Sequence, residues 1–204
     1  MTTFAFPTLS RDAPQQADWG LKSNTQVFTS PLNGAVQTAE LLGARWTGSF
    51  LWDILTEADA ALLQAFLVKL RGQANRFTLF PYHRPVPRGT IALSGVTLGA
   101  AVAQLLNTCT LNGCGAATTL KAGDYIAVAG ELKMVTADAT ANGGGVMTGV
   151  TFEPPIRTAA GWANAASVTT DHPLATFIVK DPHVSWSTRA PIITDVPFDF
   201  VEIW

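Results

Sequence analysis

The chain has 204 residues, a net charge of −2 and no run of lysines or arginines, which argues against an electrostatic grip on nucleic acid. Hydrophobic residues make up 48% and mean hydropathy is +0.23, so this is no disordered tail and the chain can bury a sizeable core. Only 14% of residues are charged, against about 25% in an average soluble domain, so much of the surface must be neutral and suited to cover by sibling copies or partners.

No stretch approaches the ~20 apolar residues of a spanning helix, so membrane insertion is not expected. The opening segment from Met1 to Pro7 has no basic region followed by an apolar core, which predicts synthesis in the cytoplasm.

In chain order, residues 1–34 are mixed and rich in turn formers, and Ser30-Pro31-Leu32-Asn33-Gly34 is a strong turn signal. A strand is expected from Ala35 to Leu42. Gly43 then turns the chain into a second strand, in which Trp46, Gly48, Phe50 and Trp52 share one side. The two are expected to pair as an antiparallel hairpin with one aromatic face.

A helix follows. Thr56 is its N-cap, Asp59 stands at the capping-box position, and Glu57 and Asp59 suit the positive end of the helix dipole. Leu62, Leu63, Phe66, Leu67 and Leu70 form the expected apolar stripe, and Gly72 suits the left-handed stop.

Arg76 to Phe80 reads as a short strand, and Pro81, Pro85 and Pro87 mark a connector. Beyond it Ala, Gly, Thr and Val dominate. Strand-like runs at Thr90–Leu93, Tyr125–Ala129, Lys133–Thr136, Val146–Phe152 and Thr176–Lys180 are separated by Gly/Asn/Asp clusters, which suits a small antiparallel β-barrel or sandwich. After Pro182, the run Pro197–Trp204 regains the aromatic character of residues 35–80. The chain is therefore expected to be mainly β. A β-sandwich with one packed helix, residues 1–87 and 182–204, would carry an inserted β domain at 88–181, and the last strand would return to the first sheet.

Chemical motifs are sparse. Cys109 and Cys114 cannot fill a four-ligand zinc site. They flank an Asn112-Gly113 turn, where they would face each other across a hairpin as a disulfide or as two buried free thiols. A cysteine hydrolase would need one of them beside His172 or His183, at a position that lowers its pKa. His83, His172 and His183 show no metal-binding spacing. Gly123-Asp124 and Asn142–Gly145 read as turns. Phe152 to Arg157 reads as an edge strand ended by two prolines, in which Glu153 and Arg157 have the option of pairing. A sugar-binding surface in the insertion would rest on Trp162 and Tyr125 alone. No catalytic residue, metal or cofactor is expected.

The ordered set Ala44-Arg45-Trp46-x-x-Ser49-Phe50, Leu55-Thr56-Glu57-Ala58-Asp59, Leu63-x-x-Phe66-Leu67-x-x-Leu70-x-Gly72 and Asn75-Arg76-Phe77-Thr78-Leu79 resembles the core of phage distal tail proteins and lambda-like minor tail protein M. The likeness spans about residues 20–82 and 184–204, while the middle of the chain departs from the short M pattern. The resemblance implies a virion protein, not an enzyme. It would be a ring homo-oligomer, usually a hexamer, joining the tail tube to hub and fibre proteins at the tail tip. In such a ring Arg45, Trp46, Trp52 and Trp204 are the candidate subunit-interface residues. A host-receptor or carbohydrate-binding tail module is the alternative, with the cysteine hydrolase third.

Overall fold

The computed structural model describes residues 1–11, 13–190 and 193–203. The first part of the chain forms β1 (Thr3–Ala5), β2 (Gln16–Lys22), β3 (Thr25–Thr29), β4 (Val36–Glu40), β5 (Arg45–Leu55), α1 (Glu57–Leu70) and β6 (Arg76–Leu79). The middle adds β7 (Thr97–Leu98), β8 (Thr108–Asn112), β9 (Thr119–Leu120), β10 (Tyr125–Val128), β11 (Glu131–Val135), β12 (Ala139–Thr140), β13 (Met147–Glu153) and β14 (Val168–Thr169). The chain ends with β15 (Ala175–Val179), β16 (Ser187–Arg189) and β17 (Ile193–Glu202).

The fold is mainly β with one helix. One sheet has the order β1-β6-β15-β17-β5-β2, with β16 on β17. Its central strand is β17, which pairs with β5 from Thr194 to Val201 and with β15 on the other side. The sheet curls around an aromatic core. Trp19 on β2 reaches Phe177 on β15 at 5.6 Å between ring centroids, and Phe6, just past β1, stacks on Phe198 of β17 at 6.0 Å. The alternation along β5 buries Trp46, Phe50 and Trp52. Gly48 interrupts the aromatic row because a Cβ there would run into the Phe200 ring and the Asp18 carbonyl.

The helix starts as expected. The Thr56 hydroxyl oxygen accepts from Asp59 N at 3.3 Å, and the Asp59 carboxylate accepts from Ser10 N and Ser10 Oγ, both at 3.0 Å. These bonds, led by the Ser10 amide, hold the Asp59 carboxyl below its ordinary value. The buried face is Ala60, Leu63, Phe66, Leu67 and Leu70. Leu62 is 52% exposed, one position off that face, so it drops out of the expected stripe. Both Arg71 and Gly72 are left-handed at the stop.

The middle segment forms a second sheet of order β14-β10-β11-β13-β8-β7. Its end strands meet: Thr97 bridges Ser167, Leu98 N donates to Ala166 O at 2.9 Å, and Val168 N donates to Val96 O at 2.9 Å. The sheet is thus a small antiparallel barrel around Val, Leu and Ile side chains with Phe152 stacked on Trp162 at 5.2 Å. Asp124, fully buried, ties its entrance by accepting from the amides of Lys121, Arg88 and Gly89.

Several expectations are corrected. Residues 35–42 do not pair with β5. Instead β4 pairs with β3 across the Pro31-Leu32-Asn33-Gly34 turn, and β5 pairs with β2 and β17. The run at Thr176–Lys180, assigned to the insertion, is β15 and lies in the first sheet between β6 and β17, so the boundary at 181 falls too late. Thr90–Leu93 is not a strand. β13 is an interior strand between β11 and β8, not an edge.

Candidate assembly surface

The four residues singled out from the sequence separate. Trp46 is 2% exposed: its Nε1 donates to Leu132 O at 2.9 Å and its ring meets Tyr125 edge-on at 5.5 Å. Trp52 is 1% exposed beneath Phe6 and Tyr82. Both belong to the chain's own core, which corrects their expected place on a subunit interface: flat sheet-face tryptophans are worth more under the curled sheet than in water. Arg45 is exposed at the start of β5, opposite Lys22. Trp204 lies outside the described residues.

The outward-facing apolar residues lie elsewhere. The β3–β4 hairpin is a two-stranded sheet of its own, here called the arm. Every residue of β3 and all of β4 except Ala39 are exposed, so both faces of the arm meet solvent. The side chains it presents are Val27 (61% exposed), Phe28 (57%), Val36 (59%) and, at the tip, Leu32 (97%). Its turn is held locally by Gly34 N to Ser30 O at 3.0 Å and Ala35 N to Asn33 Oδ1 at 3.0 Å. Its base is pinned by Asn24, whose Nδ2 donates to Leu42 O at 2.8 Å and whose carbonyl accepts Leu41 N at 2.9 Å. From Ser23 to Ala39 the arm carries no ionisable side chain. An isolated two-stranded hairpin is marginal in water, and exposed apolar side chains on such an element add to its need for a covering surface.

A second feature is a cavity of about 540 Å³ with a mostly apolar lining that includes Phe6, Leu9, Trp52, Phe80, Tyr82 and Leu174. Among the described residues its basic lining side chains are Arg11, which pairs with Asp53 at 3.5 Å, and His172, whose Nδ1 lies 2.6 Å from Asp171 Oδ1. The Trp52 Nε1 group is buried with no acceptor among the described residues.

A third feature joins the two sheets. The buried Arg157 guanidinium holds Glu202 through two bonds, Nη1 to Oε2 at 2.8 Å and Nη2 to Oε1 at 2.6 Å, and also donates to Ala44 O at 3.1 Å. Glu202 further accepts Trp46 N at 3.1 Å. Glu131 accepts from Lys133 Nζ at 2.6 Å, Arg157 N at 3.1 Å and Thr158 N at 2.8 Å. Burial alone would raise the Glu131 pKa, but the Lys133 charge and these donors hold it below its ordinary value. Burial pushes Lys133 down, and Glu131 offsets that only in part. Lys133 is fully buried, donates to Pro155 O at 2.9 Å, and sits 5.6 Å from the Trp162 ring centroid. The option of a Glu153–Arg157 pair is not taken: Glu153 accepts from Asn107, and Arg157 goes to Glu202.

The other candidates supply little chemistry. Cys109 and Cys114 are free and buried. Desolvation, with some repulsion from Cys114, pushes the Cys109 thiol up to about 12, and desolvation also raises Cys114. A nucleophilic thiol needs the opposite shift. The two do not face each other across a hairpin, because β8 pairs with β7 and β13. Trp162 and Tyr125 are 1% and 2% exposed, so neither offers a stacking face to a sugar. Among the described residues no group of three or more His, Cys, Asp or Glu side chains could hold a metal, and no helix is long and apolar enough to cross a membrane.

The arm left a partial trace in the sequence: its turn was legible, its strand partner was not. The Arg157–Glu202 pair left none, since its members are far apart in the chain. The chain matches no family model, and no curated protein matches it.

Proposed function

We propose that this chain is a structural subunit of a long-tailed bacteriophage tail tip, one that associates with copies of itself into the distal ring joining tail tube to hub and fibres. The observation that carries the reading is the arm. Natural sheet proteins cover or charge their exposed strands to avoid unwanted pairing, yet this hairpin is uncharged between Lys22 and Glu40 and presents Val27, Phe28, Leu32 and Val36 to solvent. Such a feature fits a subunit that is finished by its neighbours. The low charged fraction of the whole chain points the same way.

The test is direct. Purified protein at rising concentration should form a discrete oligomer in sedimentation velocity and closed rings by negative-stain microscopy. Antibody against the chain should decorate the tail tip of the virion that encodes it. A chain that stays monomeric with its fold intact, or a virion without it, refutes the reading.

A further inference from the structure

The arm is a knob and the aromatic cavity is a socket, and we propose that the occupant of the socket is the arm of a second copy of this chain. The inference rests on the self-assembly reading above and names the contact that would build it.

Intramolecular filling does not account for either feature. None of the residues lining the cavity comes from the arm. The arm leaves β5 at Arg45, while the socket floor at Trp52 stands seven residues further along the same strand, about 23 Å away at ~3.3 Å per residue. The arm is solvent-exposed on both faces, so it is not folded back onto its own carrying sheet.

The two surfaces also match in chemistry. The arm is neutral from Ser23 to Ala39 and ends in an almost fully exposed Leu32 beside Pro31. The socket is lined by Phe6, Trp52, Phe80 and Tyr82, and its Arg11 is already partnered by Asp53. A volume of about 540 Å³ accepts a leucine and its neighbours with ease. A buried aromatic pocket receiving one apolar side chain is the usual anatomy of a binding hot spot.

Because knob and socket are different surfaces, the contact is heterologous and repeats head to tail. Each copy gives one arm and receives one, which is the connectivity that a closed ring requires.

The test uses the full chain and two substitutions at exposed positions, Leu32→Asp on the knob and Leu174→Asp on the rim of the socket. Leu174 is 44% exposed, so both variants should keep the fold, checked by circular dichroism and unchanged thermal midpoints. Sedimentation velocity should show the wild-type oligomer and at least a tenfold weaker association for each variant. Mixed in equal amounts, the two should form a heterodimer and stop there, since only one intact knob and one intact socket remain. Normal assembly of Leu174→Asp beside failure of Leu32→Asp would overturn the socket assignment while leaving self-assembly standing. A mixture without heterodimer would overturn it equally. A wild-type chain that stays monomeric would overturn this contact and the ring reading together.

Discussion

The two sheets treat their edges in opposite ways. The inserted barrel joins its end strands through the Thr97–Ser167 bridge and the amide bonds around Leu98 and Val168, so its backbone groups are used internally. The carrying sheet ends on β1 and β2 and sends β3–β4 out as a separate pair. Their cores differ too: Trp and Phe in the first, mostly Val, Leu and Ile in the second. The contrast teaches where association is possible. A closed barrel offers side chains only, whereas an open sheet with an arm offers strands as well.

That contrast can be broken at its joint. Arg157→Met would strand the buried Glu202 carboxylate and should cost about 3–5 kcal/mol in urea unfolding. A loss well below 1 kcal/mol would show that the carrying sheet and the inserted barrel do not depend on this pair. Comparable in size, Phe200→Ala should remove about 3–5 kcal/mol from the first sheet's core, where the ring lies against Phe50 at 4.7 Å. If the carrying sheet and the inserted barrel are one cooperative unit, both variants should shift a single transition rather than split it.

A smaller effect should follow pH. Glu131 and Asp59 both have folded pKa values below their ordinary ones. Their stabilisation is therefore complete above the ordinary carboxylate range and is lost as pH falls through it towards the folded values. Unfolding free energy should hold from neutral pH to about pH 5 and then decline as pH falls through 4 and below, and Glu131→Gln should flatten part of that decline. Thr56→Ala, which removes the helix cap, should lower stability by about 1 kcal/mol. Leu32→Ser at the arm tip should change monomer stability by no more than about 0.5 kcal/mol, because the side chain touches solvent, yet it should weaken association. A clear drop in the monomer's thermal midpoint would mean that the tip is packed after all.

Local signals were the legible ones. The alternation of Trp46, Phe50 and Trp52 marked a one-faced strand, and Thr56, Asp59 and Gly72 bracketed the helix, because cap and periodicity act within a few residues. The partner of β4 was not legible: Gly43 on one side and Pro31 to Gly34 on the other are both competent turns, and only packing elsewhere commits β5 to β2 and β17. β15 was misplaced for a related reason. A five-residue run such as Ala175–Val179 suits either sheet, and its membership is decided by Phe177, which packs against Phe77 and Phe200. The tryptophans misled because residue type signals a large buried area without saying whether the cover is internal or a neighbour.

The pairing of Leu79 with Ala175 spans the entire inserted barrel, and β17, last in chain order among the described strands, occupies the middle of its sheet. In the sheet order β15 and β17 lie between β6 and β5, so β5 and β6 do not pair with each other and stay unjoined until the insertion has been made and these two later strands enter between them. Folding of the carrier sheet is non-local and slow by nature, while the insertion can form from nearby contacts. The topology therefore predicts that the guest barrel folds before the host sheet, an order that pulse-labelled hydrogen exchange during refolding would check.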